Sequence, residues 1–146
     1  MAEKQWDKRE WFDLQIKDPQ DPSLKHITVP RALQICVRIS EEHFKLISGS
    51  KSYNLNQIIA WYYSDRIKTT FPKITEEEKQ KIKTSPLINK YKKQKKPKRI
   101  TAVIHLILLA LLDYECAKRK EKNKYSKYTR NALISYILNA WKIAKS

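Results

Sequence analysis

The chain is almost without glycine. Gly49 is the only one in 146 residues, where average usage near 7% would give about ten. Glycine supplies the positive backbone angles that tight hairpins need. Its scarcity therefore predicts a helix-rich fold with few tight turns, and it excludes a glycine-rich phosphate loop of the kind that nucleotide-binding enzymes use.

Residues that bind metals or form disulfides are also few. The two cysteines, Cys36 and Cys116, are far apart, and the three histidines are scattered, with no close pair at metal-ligand spacing. Two such cysteines make neither a disulfide scaffold nor a zinc site. No serine or cysteine nucleophile lies in a recognisable catalytic setting. We therefore expect no metal, no cofactor and no enzymatic activity.

Long apolar runs are missing as well. The longest, residues 102–112, is eleven residues long and contains His105, whereas a helix that spans a bilayer needs about 20 apolar residues. The N-terminus is charged and has no apolar segment typical of a signal peptide. We expect a protein without a membrane partner, in the cytoplasm.

Positive charge is what the chain has in excess. It holds 31 lysines and arginines against 15 acids, a formal charge of +16. Residues 90–130 contain fourteen of the bases and only three of the acids. Such a basic segment favours a polyanionic partner, nucleic acid first. The densest part is expected to contact phosphates as an arm; its candidates are Lys92, Lys93, Lys95, Lys96, Lys98 and Arg99.

Residues 33–67 contain the clearest local pattern. Ile35, Val37 and Ile39 alternate with Gln34, Cys36 and Arg38, and this period of two predicts a half-buried strand. Ser40 then caps a short helix that ends at Gly49. Asn54 is predicted to cap a second helix, whose apolar residues recur at helical spacing.

The C-terminal part repeats this order. Thr129 is predicted to cap a helix through residue 144, and residues 53–62 align without gaps over residues 128–137. The preceding residues 100–122 are either a strand followed by a helix or one continuous helix, because leucine favours helix there. Trp61 and Trp141 fall at helical spacing and are expected in the core.

The rest of the chain connects these units. Thr75 and Glu78 form a capping-box pattern that predicts a helix over residues 76–83. We expect four segments: an arm of residues 1–32 that packs on the core or a partner, a strand-helix-helix unit of residues 33–68, short helices and a basic linker over 69–99, and a second helical unit of residues 100–146. The predicted fold is mostly α with a short β-ribbon.

The strand-helix-helix pattern resembles the ribbon-helix-helix family of DNA-binding proteins, the class of Arc and MetJ, here as a tandem pair. The resemblance implies that two strands pair into an antiparallel ribbon that enters the DNA major groove. It implies a base-reading set of Gln34, Cys36, Arg38, Thr101, Val103 and His105. It also implies a phosphate-binding set at the helix starts, namely Lys51, Ser52, Asn54, Lys127, Thr129 and Arg130.

A short strand cannot stand alone. Residues 35–39 must pair either with residues 100–106 of the same chain, as a pseudo-dimer, or with a second copy in a homodimer. The expected function is sequence-specific binding of double-stranded DNA, as a transcriptional repressor or a plasmid or phage regulator. The alternatives are an RNA-binding or non-specific nucleic-acid protein that uses the lysine-rich segment, and a helical assembly protein.

Overall fold

The computed structural model describes residues 14–24, 32–88, 97–122 and 129–146. In these ranges the chain forms four strands and five helices. In chain order they are β1 (Gln15–Ile16), β2 (Ala32–Ile39), α1 (Glu41–Ile47), α2 (Lys51–Tyr62), β3 (Ile67–Lys68), α3 (Glu76–Thr84), β4 (Lys98–His105), α4 (Leu106–Lys122) and α5 (Arg130–Ala144). The fold is mixed α/β and mostly helical, with two small antiparallel sheets.

The two long strands, β2 and β4, pair with each other. They run antiparallel over eight residues, with Ala32 opposite His105 and Ile39 opposite Lys98. Both strands of this ribbon come from one chain, so the pairing within the chain is the one that the structure has. The apolar stretch after residue 97 is a strand followed by a helix rather than one continuous helix.

The alternation that predicts β2 continues across the ribbon. Val37 and Ile39 of β2 are buried, and so are Ile100, Ala102 and Ile104 of β4. These five side chains share one face because successive residues of a strand point to opposite sides. Full burial of each large aliphatic side chain contributes about 1.5–3 kcal/mol, so this face fixes which side of the ribbon packs on the helices.

The chain contains the order strand, helix, helix twice, as β2–α1–α2 and as β4–α4–α5, with β3 and α3 between. The second helix of each repeat is bonded to the strand of the other repeat. Ser52 Oγ in α2 accepts a hydrogen bond of 3.0 Å from the Val103 N–H in β4. Asn131 Oδ1 in α5 accepts one of 2.7 Å from the Arg38 N–H in β2. The repeats are thus interlocked around one apolar core.

Three helix starts agree with the sequence. Ser40 Oγ accepts from the His43 N–H at the start of α1. Thr75 and Glu78 form both bonds of the capping box at α3, and Thr129 caps α5. These caps are formed between residues no more than three positions apart, and this is why sequence alone finds them.

The predicted start of the second helix is wrong. Helix α2 begins at Lys51, with Ser50 at the N-cap position. Asn54 lies inside the helix, where its amide donates to the carbonyls of Ile47 and Ser48, at 3.2 and 3.3 Å. Asn54 therefore bonds the C-terminal end of α1 rather than capping α2. The helix starts earlier because Gly49, at φ 100°, reverses the chain directly before Ser50. The two repeats therefore align with Ser50, the N-cap of α2, over Thr129, the N-cap of α5, and not with Asn54 over Thr129.

The described part of the N-terminal arm packs on this core. Leu14 and Leu24 are almost fully buried, and β1 pairs antiparallel with β3. Arg66 forms two hydrogen bonds with the Asp21 carboxylate, of 2.6 and 3.0 Å. This ion pair ties residues 14–24 to the turn after α2. In the described ranges, no helix combines the length and the apolar character needed to cross a membrane.

Candidate nucleic-acid interface

The side of the ribbon that points away from the helices carries six side chains in three opposite pairs. Gln34 lies opposite Val103, Cys36 opposite Thr101, and Arg38 opposite Arg99. Five of the six are exposed and Val103 is half-buried. We call this set the outward ribbon face. Its positions follow from strand alternation, since their neighbours fill the core.

Backbone bonds at the ribbon edges show how closely these pairs stand. The Arg38 N–H donates to Asn131. The Val103 N–H donates to Ser52, and the Val103 carbonyl accepts from the Asn56 amide at 2.8 Å. These backbone groups therefore point away from the partner strand, which makes the outward pairs the non-hydrogen-bonded kind. In such pairs the Cα atoms are about 4.5 Å apart and the side chains lie closer together.

Arg38 and Arg99 place two like charges directly opposite each other. Like charges at opposed positions of a sheet destabilise it. Glu42, an acid close to Arg38 in sequence, pairs with Lys142. Among the described residues neither arginine forms an ion pair. Within the described ranges, the arginine end of the outward ribbon face is thus a cationic site without an acid partner.

Two lysines add to the charge near this end. Lys51 Nζ lies 5.3 Å from the centroid of the Phe44 ring, and Lys98 Nζ lies 5.9 Å from the same centroid. Lys51 begins α2 and Lys98 begins β4. Both ammonium groups lie against the Phe44 ring of α1, as cations do in cation–π contacts. Both belong to the predicted phosphate-binding set, and the structure brings them together beside the ribbon.

Other members of that set are engaged inside the protein. Ser52 is buried and its hydroxyl holds Val103, while Asn54 bonds the end of α1. The Thr129 hydroxyl caps its own helix by accepting from Ala132. Sequence reasoning placed these residues at helix starts but had no information on the bonds that occupy them.

The charge of Arg130 is balanced by an acid. Its guanidinium forms two hydrogen bonds with Asp113, of 2.9 and 2.8 Å, and these bonds raise the pKa of Arg130. Lys92, Lys93, Lys95, Lys96 and Lys127 lie outside the described residues.

The prediction that His105 reads bases is wrong. Its side chain is 1% exposed, and its Nδ1 accepts a hydrogen bond of 3.1 Å from the Ile107 N–H. His105 therefore ends β4 and satisfies a backbone donor in the first turn of α4, a task that Ser, Thr, Asp or Asn usually performs. Strand parity alone put His105 on the outward side, but α4 begins at the next residue and the ring is enclosed.

Arg99 is the residue that sequence reasoning missed on the outward ribbon face. It was grouped with the lysine-rich arm because the strand was taken to begin at residue 100. The strand begins at Lys98, which places Arg99 in the same row as Thr101 and Val103. The signal in the sequence was the alternation of these three residues with Ile100, Ala102 and Ile104.

Other kinds of site have less support. Trp61 is fully buried, and the centroid of its ring lies 5.1 Å from that of the Trp141 ring in an edge-on contact. Trp61 is therefore a core residue and is not exposed for stacking on bases. No cluster of three or more potential metal ligands exists in the part of the chain that the structure describes.

Comparison of the chain with models of known protein families found no match, and comparisons with curated proteins and with solved structures found none either.

Proposed function

We propose that this protein binds double-stranded DNA sequence-specifically, as a ribbon-helix-helix type protein whose two-stranded ribbon enters the major groove. A transcriptional repressor or a plasmid or phage regulator is the role that such binding serves. The observation that carries the proposal is the outward ribbon face: six side chains that the core does not use, with two opposed arginines that form no ion pair with the residues that the structure describes.

The dimensions of this face suit duplex DNA. From Gln34 to Arg38 is four residue steps, about 14 Å at roughly 3.4 Å per residue. Base pairs rise by about 3.4 Å, so the face matches about four of them. The major groove of B-DNA, about 12 Å wide, admits a two-stranded ribbon. A-form RNA has a deep, narrow major groove that side chains do not read, and this favours DNA over an RNA duplex.

The helix starts lie where phosphates would flank the ribbon. Ser52 and Asn131 bond the outer edges of opposite strands, so the first turns of α2 and α5 sit on the two sides of the ribbon. A helix N-terminus carries unpaired N–H groups and a partial positive charge, both of which favour a phosphate. Ser50 provides no side-chain cap for α2, and Lys51 adds a full charge there.

Selection from a pool of randomised DNA duplexes at moderate salt tests the proposal. We expect one enriched motif, and a binding constant that falls steeply as salt rises because cations bound to the phosphates are released. Arg38→Ala should erase most of the motif at the positions that it reads while retaining most of the non-specific affinity. Lys83→Ala, which removes an exposed charge on α3, is the matched control and should leave the motif unchanged.

Two outcomes would count against the proposal. Salt-sensitive binding without any enriched motif would indicate the non-specific alternative, in which the lysine-rich segment supplies the affinity. No duplex binding near physiological salt would refute nucleic-acid reading by the ribbon and favour an assembly role. A uniform loss of affinity in Arg38→Ala would make Arg38 a phosphate contact rather than a base contact.

A further inference from the structure

The two strands of the ribbon are equivalent in structure but differ in the side chains that they present. Asn131 bonds the backbone of Arg38, and Ser52 bonds the backbone of Val103. Arg38 and Val103 therefore hold matching positions in the two repeats. By the antiparallel register, Gln34 then corresponds to Arg99, and Cys36 to Thr101.

A ribbon made by two identical chains presents the same residue at both matching positions, so its DNA site has the same two-fold symmetry. In this chain arginine matches valine and glutamine matches arginine. We propose that the ribbon reads a non-palindromic site of about four base pairs, with G·C pairs at one end and A·T pairs at the other. This inference rests on the proposed function and specifies its ligand.

The G·C end follows from the arginine pair. Arg38 and Arg99 are opposite each other, so both guanidinium groups emerge at the same end of the outward ribbon face. In the major groove an arginine donates two hydrogen bonds to O6 and N7 of guanine, and this is the commonest specific contact. Two arginines side by side therefore match two G·C pairs within one or two base steps, with the guanines on either DNA strand.

The A·T end follows from the opposite pair. Gln34 can donate to N7 and accept from N6 of adenine, the usual two-bond contact of glutamine. Val103 has no polar atom to offer, but its methyl groups match the C5 methyl of thymine. The central pair, Cys36 and Thr101, is small and gives weaker discrimination. Among the described residues, neither Gln34 nor Thr101 uses its side chain in a hydrogen bond, so both are available to a ligand.

Gln34 is exposed and half-buried Val103 points to the same outward side, so substitutions at both positions permit a gain-of-specificity test. The double variant Gln34→Arg, Val103→Arg gives the second end of the ribbon the same arginine pair as the first. Selection from randomised duplexes is carried out in parallel with the wild type, this double variant and the control Lys83→Ala.

For the wild type we expect a motif with G·C at one end and A·T at the other. Exchanging the G·C pairs for A·T pairs should weaken binding about tenfold or more, as for the loss of one good two-bond contact. The double variant should convert the A·T end to G·C and leave the first end unchanged, so that both ends of its motif carry G·C. Lys83→Ala should select the wild-type motif.

Two results would overturn the inference while the proposed function stands. One is a wild-type motif that is palindromic about the centre of a single ribbon. The other is a double variant whose motif changes at the G·C end or at neither end. A motif made of two asymmetric sites in inverted repeat, about a helical turn apart, would indicate two bound chains. Each chain would still read an asymmetric site, so this result would support the inference. Absence of any duplex binding would overturn the proposed function together with the inference.

Discussion

Asn56 should hold β4 in place, and its replacement should destabilise the whole protein. The side chain is 1% exposed. Its Nδ2 donates to the Val103 carbonyl at 2.8 Å and its Oδ1 accepts from the His105 N–H at 2.9 Å. A third bond, to the Ser52 carbonyl at 2.6 Å, stays within α2. Asn56 thus satisfies two backbone groups on the edge of β4 that faces α2 rather than β2.

The cost of Asn56→Ala follows from these two groups. A buried donor or acceptor left without a partner costs about 1–3 kcal/mol. His105 is fully buried and Val103 half-buried, so water reaches the Val103 carbonyl more easily than the His105 N–H. We therefore expect a loss of about 3 kcal/mol in the free energy of unfolding. For a domain stable by about 5–15 kcal/mol this is a large fraction.

Urea unfolding followed by circular dichroism measures the effect. Asn131→Ala is the control, because it also removes an asparagine acceptor from a strand N–H, that of Arg38 on the other strand. Arg38 is exposed, so water replaces the lost partner there, and the loss should be about 1 kcal/mol or less. If Asn56→Ala costs no more than Asn131→Ala, the reasoning from buried, unsatisfied backbone groups at β4 is wrong.

Three further predictions concern stability and accessibility. Gly49→Ala should cost about 1 kcal/mol of unfolding free energy through backbone strain alone, because φ is +100° and no atom lies within 4 Å of the added Cβ; an unchanged urea midpoint would contradict this. Burial raises the pKa of Asp21, but hydrogen bonds from Arg66 and Ser23 outweigh it and hold the pKa below its ordinary value. The stability that this carboxylate contributes should therefore be complete above the unfolded pKa of about 4. It should disappear as pH falls through the lower folded value, so urea midpoints of Asp21→Asn and wild type should converge in acid; a gap that is constant with pH would refute the assignment. Cys36 is exposed, whereas burial raises the pKa of the Cys116 thiol; a disulfide reagent at pH 8 should titrate one thiol in the native protein and two in denaturant, and two fast thiols in the native state would contradict the fold.

Local signals account for what the sequence could predict. The strand over residues 35–39 follows from alternation, because the period of a strand is independent of what it packs against. The caps at Ser40, Thr75 and Thr129 follow from single side chains that bond their own helix. Three of the six outward positions, Gln34, Cys36 and Arg38, follow from the same alternation.

Tertiary contacts decide what the sequence could not. Leucine favours helix through residues 106–112, and the pairing with β2 decides between a continuous helix and the extended backbone that residues 98–105 adopt. Pairing with Ile39 likewise extends β4 to Lys98 and so brings Arg99 onto the outward ribbon face. The burial of His105 depends on α4 beginning at the next residue, which strand parity does not show.

The arrangement of the ribbon also explains where the two repeats are free to differ. Their inward residues, such as Val37 and Ile100, fill one shared core and stay apolar. Their outward residues are exposed apart from half-buried Val103, and at one pair of matching positions the first repeat has an arginine where the second has a valine. An opposed pair such as Arg38 and Arg99 lowers stability and fills no space in the core. Its cost is offset when an anion or an electronegative base edge lies against it, and this is the condition that a groove of duplex DNA provides.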